Sequence, residues 1–150
     1  MSFRIKAYRN HNRLEIIDIW EKSVRATHHF LKKEDIDFFK TLVLEFEFDE
    51  SNLFCLENTE NEIIGFMGII DRKLEMLFLK PDYIGLGAGK FLMNYALNYL
   101  GVKKVDVNED NKTALKFYQK FGFEIIQRNE FDSSGKPYPI LELALTKNSL

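Results

Sequence analysis

Three glycines at alternate positions follow an apolar run and precede a helical pattern. Gly85, Gly87 and Gly89 come after the strand-like residues 74–79, and Lys90 follows directly. Glycines at this spacing let backbone N–H groups converge without Cβ atoms in the way, and a helix amino terminus adds about half a positive charge. The segment therefore predicts a phosphate-binding turn. The competing interpretation is a tight turn that holds no ligand.

Two other phosphate-binding motifs fit these letters less well. A P-loop requires Ser or Thr after Gly-Lys, but Phe91 follows Lys90, so the hydroxyl that would bind magnesium is missing. A dinucleotide-binding fingerprint requires Gly-x-Gly-x-x-Gly, and no third glycine stands at that position. Asp106, roughly 20 residues downstream, is consistent with the fingerprint, but only one later parallel-strand unit follows.

The elements before the turn are predicted from the spacing of apolar residues. Residues 4–8 have the pattern of a strand. Two helices are expected next, the first fraying near residues 26–29 and the second covering about 33–48. Their apolar faces are formed by Leu14, Ile17, Trp20 and Val24 in the first, and by Phe39, Val43 and Phe46 in the second.

The remaining elements predict a sheet on both sides of the glycine turn. Three short-turned strands indicate an antiparallel meander, and a two-stranded hairpin closes the chain. The predicted ranges are strands 53–56, 63–70, 74–79, 104–107, 123–131 and 138–145, with helices over about 89–100 and from near 111 to 121. We expect an α/β (α+β) fold with a mixed, mostly antiparallel central sheet flanked by helices, order βααβββαβαββ, in a single domain over residues 1–150.

The composition limits the function classes. The chain has 150 residues, of which 45% are hydrophobic, which is enough for one core and leaves no room for a second catalytic domain. A formal net charge of −2 gives no reason to expect nucleic acid or an anionic membrane as partner. No segment resembles a secretory signal or a membrane span, so we expect a cytoplasmic protein. Cys55, in an apolar run, is expected to be a buried free thiol.

A second motif completes a family resemblance. Residues 111–123 read Asn-Lys-Thr-Ala-Leu-Lys-Phe-Tyr-Gln-Lys-Phe-Gly-Phe. With the glycine turn, the separation between the two motifs and the order of elements, this segment resembles the GNAT N-acetyltransferases, whose pattern is Asn-x-x-Ala-x-x-Phe-Tyr-x-Lys-x-Gly-Phe. The resemblance covers nearly the whole chain. Ile84 departs from it, because the family often has Arg or Gln there.

The resemblance implies acetyl-CoA as co-substrate, no metal, and a sheet split where two parallel strands diverge. Backbone groups of Leu77 and Leu79 would pair with the pantetheine arm, and those of residues 85–90 would hold the pyrophosphate. Asn111 would bind the arm where the strands part. The implied acetyl-CoA-binding residues are Leu77, Phe78, Leu79, Ile84, Gly85, Leu86, Gly87, Ala88, Gly89, Lys90, Asn111, Ala114, Phe117, Tyr118 and Lys120.

The same resemblance suggests the catalytic groups. Tyr118 resembles the family tyrosine that gives a proton to the departing thiolate, which needs such a donor in a partly dry pocket. The alternative is an ordinary aromatic residue on an amphipathic helix. Glu75 is predicted as general base, half-buried with a raised pKa, because many family members carry their base at this place. The alternative for Glu75 is a solvated residue near the start of its strand.

The acceptor pocket is expected after the first helix, where the family commonly builds it. His28 or His29 could also act as base, and a metal role is not expected because no third ligand is suitably spaced. The loop at 135–139 is placed to form a lid. The residues predicted to line this pocket are Trp20, Ser23, His28, His29, Phe30 and Tyr138.

These features predict an N-acetyltransferase that transfers acetyl directly to a primary amine in a ternary complex, without an acyl-enzyme. The 14 phenylalanines, with Trp20 and Phe30, favour a small-molecule amine. Two alternatives stay open: a non-catalytic acyl-CoA-binding sensor, and a protein or peptide amino-terminal acetyltransferase. Members of this family often form homodimers through sheet edges, which this chain neither requires nor forbids.

Overall fold

The computed structural model describes residues 2–146, whose strands and helices follow one another in the predicted order βααβββαβαββ. The strands are β1 (Arg4–Ala7), β2 (Leu53–Glu57), β3 (Ile63–Ile70), β4 (Lys73–Leu79), β5 (Lys104–Asn108), β6 (Phe123–Asn129) and β7 (Ile140–Leu145). The helices are α1 (Arg13–Thr27), α2 (Lys33–Glu45), α3 (Ala88–Tyr99) and α4 (Lys112–Lys120). Short 3-10 turns, Asn10–Asn12 and Pro81–Tyr83, precede α1 and the glycine turn.

Helix α2 ends three residues before the predicted boundary. Its last turn is held by Arg13, whose guanidinium donates to the carbonyl oxygens of Leu44 at 2.5 Å and Phe46 at 2.6 Å. Phe46 is already extended, with φ −70° and ψ 135°. Arg13, from the start of α1, thus provides hydrogen bonds to carbonyl oxygens at the end of α2 that have no partner within the helix. The chain then turns toward β2.

The sheet has the strand order β1-β2-β3-β4-β5-β7-β6. Every neighbouring pair is antiparallel except β4 and β5, which are parallel. The parallel pair is short, since only Lys73 with Lys104 and Leu74 with Val105 are in register. Beyond Leu74 the two strands diverge, as the family resemblance implied.

A bulge accompanies this divergence. Gly68 of β3 pairs with Met76 and Ile69 pairs with Leu74, so the ladder skips Glu75. An extra, unpaired residue bends its strand and increases the local twist. The bulge therefore lies at the point where β4 leaves β5.

Apolar layers cover the two faces of the sheet. Helices α3 and α4 pack on one face, against a core that includes Met67, Leu92 and Val105. Helices α1 and α2 cover β2, β3 and β4 on the other face, with Trp20 and Phe66 in that core. On the α1 side the β5–β7 half of the sheet carries the polar residues Asp106, Asn108 and Glu142, which alternate with buried apolar residues along their strands.

No helix among residues 2–146 combines the length and apolar character needed to cross a membrane.

Candidate active site

A cleft of about 780 Å³ opens where β4 and β5 separate. Five structures contribute to its wall: the end of α1, strands β4 and β5, the glycine turn, and α4. Its lining residues are Ser23, Ala26, Thr27, His28, His29, Leu74, Glu75, Met76, Leu77, Phe78, Leu79, Ile84, Gly85, Gly87, Gly89, Lys90, Val105, Asp106, Val107, Asn108, Asn111, Thr113, Ala114, Phe117 and Tyr118.

One end of the cleft is an anion-binding cradle. Gly85 has φ +83° and Gly87 has φ +90°, conformations that residues with a side chain rarely adopt. Gly87 is the N-cap of α3 and makes no side-chain capping bond, and the N–H groups of residues 85–90 donate to no described residue. These free donors at the start of a twelve-residue helix, with Lys90 beside them, suit a pyrophosphate.

The edge of β4 next to the cradle is open. β3 pairs with one side of Leu77 and Leu79, whereas β5 pairs with β4 no further than Leu74. Backbone N–H and C=O groups along this edge can therefore bond an extended amide-bearing chain, as an added strand would. This geometry fits a pantetheine arm leading away from the pyrophosphate cradle.

Helix α4 closes the opposite wall. Asn111 caps it, because its Oδ1 accepts a hydrogen bond from the Ala114 N–H at 3.2 Å. Asn111 lines the cleft, and its amide nitrogen donates to no described residue. Phe117 packs edge-on against Tyr118 and borders the cradle, since a Cβ on Gly89 would lie 3.5 Å from its ring.

Tyr118 has the environment of a proton donor. Its side chain is 7% exposed, and burial raises the pKa of its phenol. The hydroxyl makes no hydrogen bond to a described residue, and its oxygen keeps some solvent-accessible surface. The Tyr118 hydroxyl is therefore protonated at neutral pH and reachable from the cleft.

Glu75 lines the cleft but is not half-buried as predicted. Its side chain is 40% exposed because it is the bulge residue, pushed out of the ladder at the cleft mouth. Lys73 lies 4.0 Å from it and forms a closer ion pair of 2.6 Å with Asp106. This pairing raises the pKa of Lys73. Glu75 and Asp106 together place two carboxylates beside the cleft.

His28 lies at the end of α1, half-buried, with its ring 5.3 Å from Phe30 and 6.4 Å from Phe78. Its Nδ1 lies 2.7 Å from Thr27 Oγ1. Burial, and to a smaller extent the charge of neighbouring His29, lowers the pKa of His28 to about 4. The imidazole is thus neutral at physiological pH. His29 also lines the cleft and is exposed.

A polar cluster that we call the Asp35 clasp joins the β6–β7 loop to the start of α2. It consists of Asp35, Lys136 and Tyr138. The Tyr138 hydroxyl donates a short hydrogen bond to Asp35 and accepts one from the Lys32 N–H at 3.2 Å, while Lys136 Nζ lies 3.0 Å from Asp35. The bond from Tyr138, then that from Lys136, lowers the pKa of Asp35.

Six predicted site residues lie outside the cleft wall. Ala88 and Trp20 are packed in the two cores, and Trp20 lines a separate apolar cavity of about 120 Å³. Leu86 and Lys120 point to solvent. Phe30 and Tyr138 form a layer behind His28, with their rings 6.3 Å apart. Leu86, Ala88 and Phe30 each stand next to a lining residue in sequence, but their own side chains do not reach the cleft.

Several residues that line the cleft were not predicted as site residues from the sequence. Asp106 and Asn108 alternate with buried Val105 and Val107 along β5, so the pattern could have placed both on one polar face. Thr27 lines the cleft as well, and no local pattern marks it. Cys55 is fully buried, as predicted, and burial raises the pKa of its thiol to about 12.

Comparison with known proteins agrees with this geometry. The model of the acetyltransferase (GNAT) domain family matches residues 20–139. The peptidyl-lysine N-acetyltransferase YjaB of Escherichia coli is 38% identical over 144 residues, covering 96% of this chain and 97% of that protein. The peptidyl-lysine N-acetyltransferase YiaC of the same organism is 28% identical over 112 residues, which are 74% of this chain and 76% of YiaC.

Solved structures show the same fold. The solution structure of apo-form YjaB from Escherichia coli superposes with a TM-score of 0.89 at 35% identity, covering 99% of this chain and 100% of that one. A PaiA N-acetyltransferase from Thermoplasma acidophilum, crystallised with coenzyme A, gives a TM-score of 0.68 at 24% identity, covering 95% and 98% of the two chains. The second likeness concerns the fold alone.

Proposed function

The chain belongs to the GNAT acetyltransferase family, and we propose that it transfers acetyl from acetyl-CoA to the ε-amine of lysine side chains in proteins. The observation that carries acetyl-CoA use is the continuity of two unpaired backbone surfaces. The N–H groups of residues 85–90 form an anion cradle, and the open edge of β4 leads from it into the cleft. A ligand with a pyrophosphate at one end and an amide-bearing arm matches both surfaces.

The thioester supplies the activated acetyl group when acetyl-CoA is bound. Residues of the β4 edge hold the arm extended and direct its end toward the divergence point, beside the bulge at Glu75. The Tyr118 hydroxyl then donates its proton to the leaving thiolate, which would otherwise be a bare anion in a partly dry cleft. The raised pKa of Tyr118 keeps that proton available at neutral pH.

The acceptor end of the cleft suits a cation. Asp106 is ion-paired with Lys73, and Glu75 is exposed at the mouth, so a second ammonium can be received there before it loses its proton. The β5–β7 face beside the mouth is polar on its α1 side, with Asn108 and Glu142 in line with Asp106. A lysine side chain on a larger protein can lie across this face with only its amine entering the cleft.

The names of the relatives favour this acceptor over the small molecule expected from the aromatic content. YjaB and YiaC are both called peptidyl-lysine N-acetyltransferases. The amino terminus of a protein or peptide is a weaker candidate acceptor. Its α-amine is attached directly to the backbone, so the backbone itself would have to enter the cleft as far as the bulge at Glu75. The sensor alternative requires that no acceptor be acetylated.

The test is an acceptor panel with acetyl-CoA. It comprises a peptide with an internal lysine and a blocked amino terminus, the matched peptide with a free amino terminus and no lysine, and a small polyamine. Released thiol gives the rate and mass spectrometry locates the acetyl group. We expect acetylation of the internal lysine at the highest kcat/KM. A higher kcat/KM for either of the other acceptors would refute the lysine assignment, and binding without any transfer would favour the sensor.

A further inference from the structure

The end of α1 contains a hydrogen-bond chain that the acid role of Tyr118 does not use. Thr27 Oγ1 lies 2.7 Å from the Ser23 carbonyl oxygen and 2.7 Å from Nδ1 of His28. Ser23, Thr27 and His28 all line the cleft. The chain therefore ends on an imidazole at the acceptor side of the site.

The directions of these bonds follow from counting protons. A carbonyl oxygen can only accept, so the single hydroxyl proton of Thr27 goes to Ser23. The same oxygen must then accept from the imidazole, which places a proton on Nδ1 of His28. With a neutral ring, Nε2 carries no proton and presents a lone pair.

The Nε2 atom of His28 keeps some solvent-accessible surface. Among residues 2–146, the Tyr8 hydroxyl is the one fully enclosed side-chain polar atom that makes no hydrogen bond. Nε2 of His28 has no partner either, so it is not fully enclosed, and the ring to which it belongs lines the cleft.

We propose that His28 Nε2 accepts the amine proton during acetyl transfer, and that Thr27 is a positioning residue that fixes the tautomer this requires. The inference rests on the proposed function. The bound lysine ammonium first releases one proton to water, and the neutral amine nitrogen then forms a bond to the acetyl carbon as the carbon–sulfur bond breaks. One N–H proton passes to His28 Nε2, and the Tyr118 proton passes to the thiolate sulfur. Water then carries a proton from His28 back to Tyr118, which restores both groups.

The low basicity of His28 is compatible with this step. Attack by a neutral amine leaves a positively charged nitrogen that is far more acidic than the free ammonium, so a weak but correctly protonated base is sufficient. Glu75, the base expected from sequence, is exposed and better suited to attracting the incoming cation. The titratable or charged groups that line the same cleft as His28 are His29, Glu75, Lys90, Asp106 and Tyr118. Lys73 is paired with Asp106, and the Asp35 clasp (Asp35, Lys136 and Tyr138) lies on the far side of Phe30.

The first test does not depend on activity. Long-range proton–nitrogen NMR correlation on the ¹⁵N-labelled full chain at pH 7 reports which ring nitrogen of His28 is protonated. We expect Nδ1 to be protonated and Nε2 to be unprotonated. Thr27→Val should shift the ring toward the opposite tautomer, and Thr27→Ser should restore the wild-type pattern. Protonated Nε2 in the wild type would refute the inference even if lysine transfer is intact.

The second test is kinetic. His28→Ala should lower kcat by about 100-fold, typical of a lost general base. Thr27→Val should lower kcat by about 10-fold with KM for acetyl-CoA unchanged, and Thr27→Ser should recover it. Thr41→Val is the matched control, since exposed Thr41 makes the same type of bond, to the Phe38 carbonyl, far from any imidazole. A wild-type kcat in Thr27→Val would contradict the positioning role, whereas an inactive wild type would contradict the proposed function instead.

Discussion

At the scale of single residues, the account depends on protonation states that burial sets. Tyr118 must hold its proton at neutral pH and give it up to the departing thiolate. Desolvation disfavours the phenolate, which is why the pKa of this group is raised. His28 is affected in the opposite sense, because desolvation disfavours the imidazolium. An acid and a proton acceptor are thus both in their working forms at pH 7.

Replacing Tyr118 with Phe removes the acid and little else, because the ring packs against Phe117 and Phe123 and its hydroxyl has no partner among the described residues. We expect kcat to fall by about 100-fold or more, with the Kd for acetyl-CoA and the thermal midpoint nearly unchanged. Steady-state kinetics and calorimetry measure both. An equal loss of kcat and of acetyl-CoA affinity would make the acid role untenable.

At the scale of elements, the site depends on how the start of α3 and the ends of strands present backbone groups. Much of this was predictable. Alternate glycines after an apolar strand indicated the cradle, and the positive φ angles of Gly85 and Gly87 explain why glycine is needed at those two positions. The bulge at Glu75 was not predictable, since no glycine, proline or turn residue interrupts the run from Leu74 to Leu79. The Asp35 clasp was also hidden, because its members are about a hundred residues apart in sequence.

Gly87→Ala tests the cradle. No described atom lies within 4 Å of the added Cβ, but φ +90° is unfavourable for alanine by about 1–2 kcal/mol, so the turn should relax and misalign its N–H groups. We expect acetyl-CoA binding to weaken by roughly that free energy, which corresponds to an increase in Kd of about 10-fold. Gly101→Ala is the control. It has φ +64° at the other end of α3, and should have a similar stability cost with acetyl-CoA affinity unchanged. Equal Kd values for the two variants would argue against the cradle.

Tyr138→Phe tests the Asp35 clasp. Removing the hydroxyl leaves Asp35 with Lys136 alone and weakens the attachment of the β6–β7 loop to the start of α2. Because Phe30 packs between Tyr138 and His28, we expect KM for the acceptor to rise several-fold while the Kd for acetyl-CoA stays constant. Arg128→Gln, which removes the exposed ion pair with Glu109 in the same hairpin, should change neither. A loss of acetyl-CoA affinity in Tyr138→Phe would show that the loop is not specific to the acceptor end.

At the scale of the whole molecule, the sheet is held at its β1 edge by a buried carboxylate. Glu57 is 2% exposed and is bonded by Arg4 at 2.6 Å and by Lys6 at 3.5 Å. The bond from Arg4 is the main cause that lowers the pKa of Glu57 below its ordinary value. The sequence predicted both strands, with the second ending at residue 56, but not that the carboxylate of Glu57 would be enclosed.

This ion pair makes stability fall in acid. Because the folded pKa of Glu57 is below the unfolded one, its contribution is present above the unfolded pKa of about 4.3 and is lost as pH falls through the folded value. Glu57→Gln should therefore lower the free energy of unfolding by about 1–2 kcal/mol at pH 7, and the difference from wild type should shrink toward pH 3. Urea titrations at several pH values measure it. Glu124→Gln, at an exposed β6 position, should follow the wild-type curve, and a Glu57→Gln difference that does not depend on pH would contradict the assignment.

The central claim is that one cleft binds acetyl-CoA along the β4 edge and passes its acetyl group to a lysine amine. The most direct test is to titrate the protein with acetyl-CoA in a calorimeter and then add an amino-blocked lysine peptide to the same sample, following thiol release. The account predicts saturable binding of one acetyl-CoA per chain, followed by thiol release that depends on the peptide and leaves the acetyl group on its lysine. Absence of acetyl-CoA binding would contradict the account, because residues 85–90 would then be only a turn between a strand and a helix.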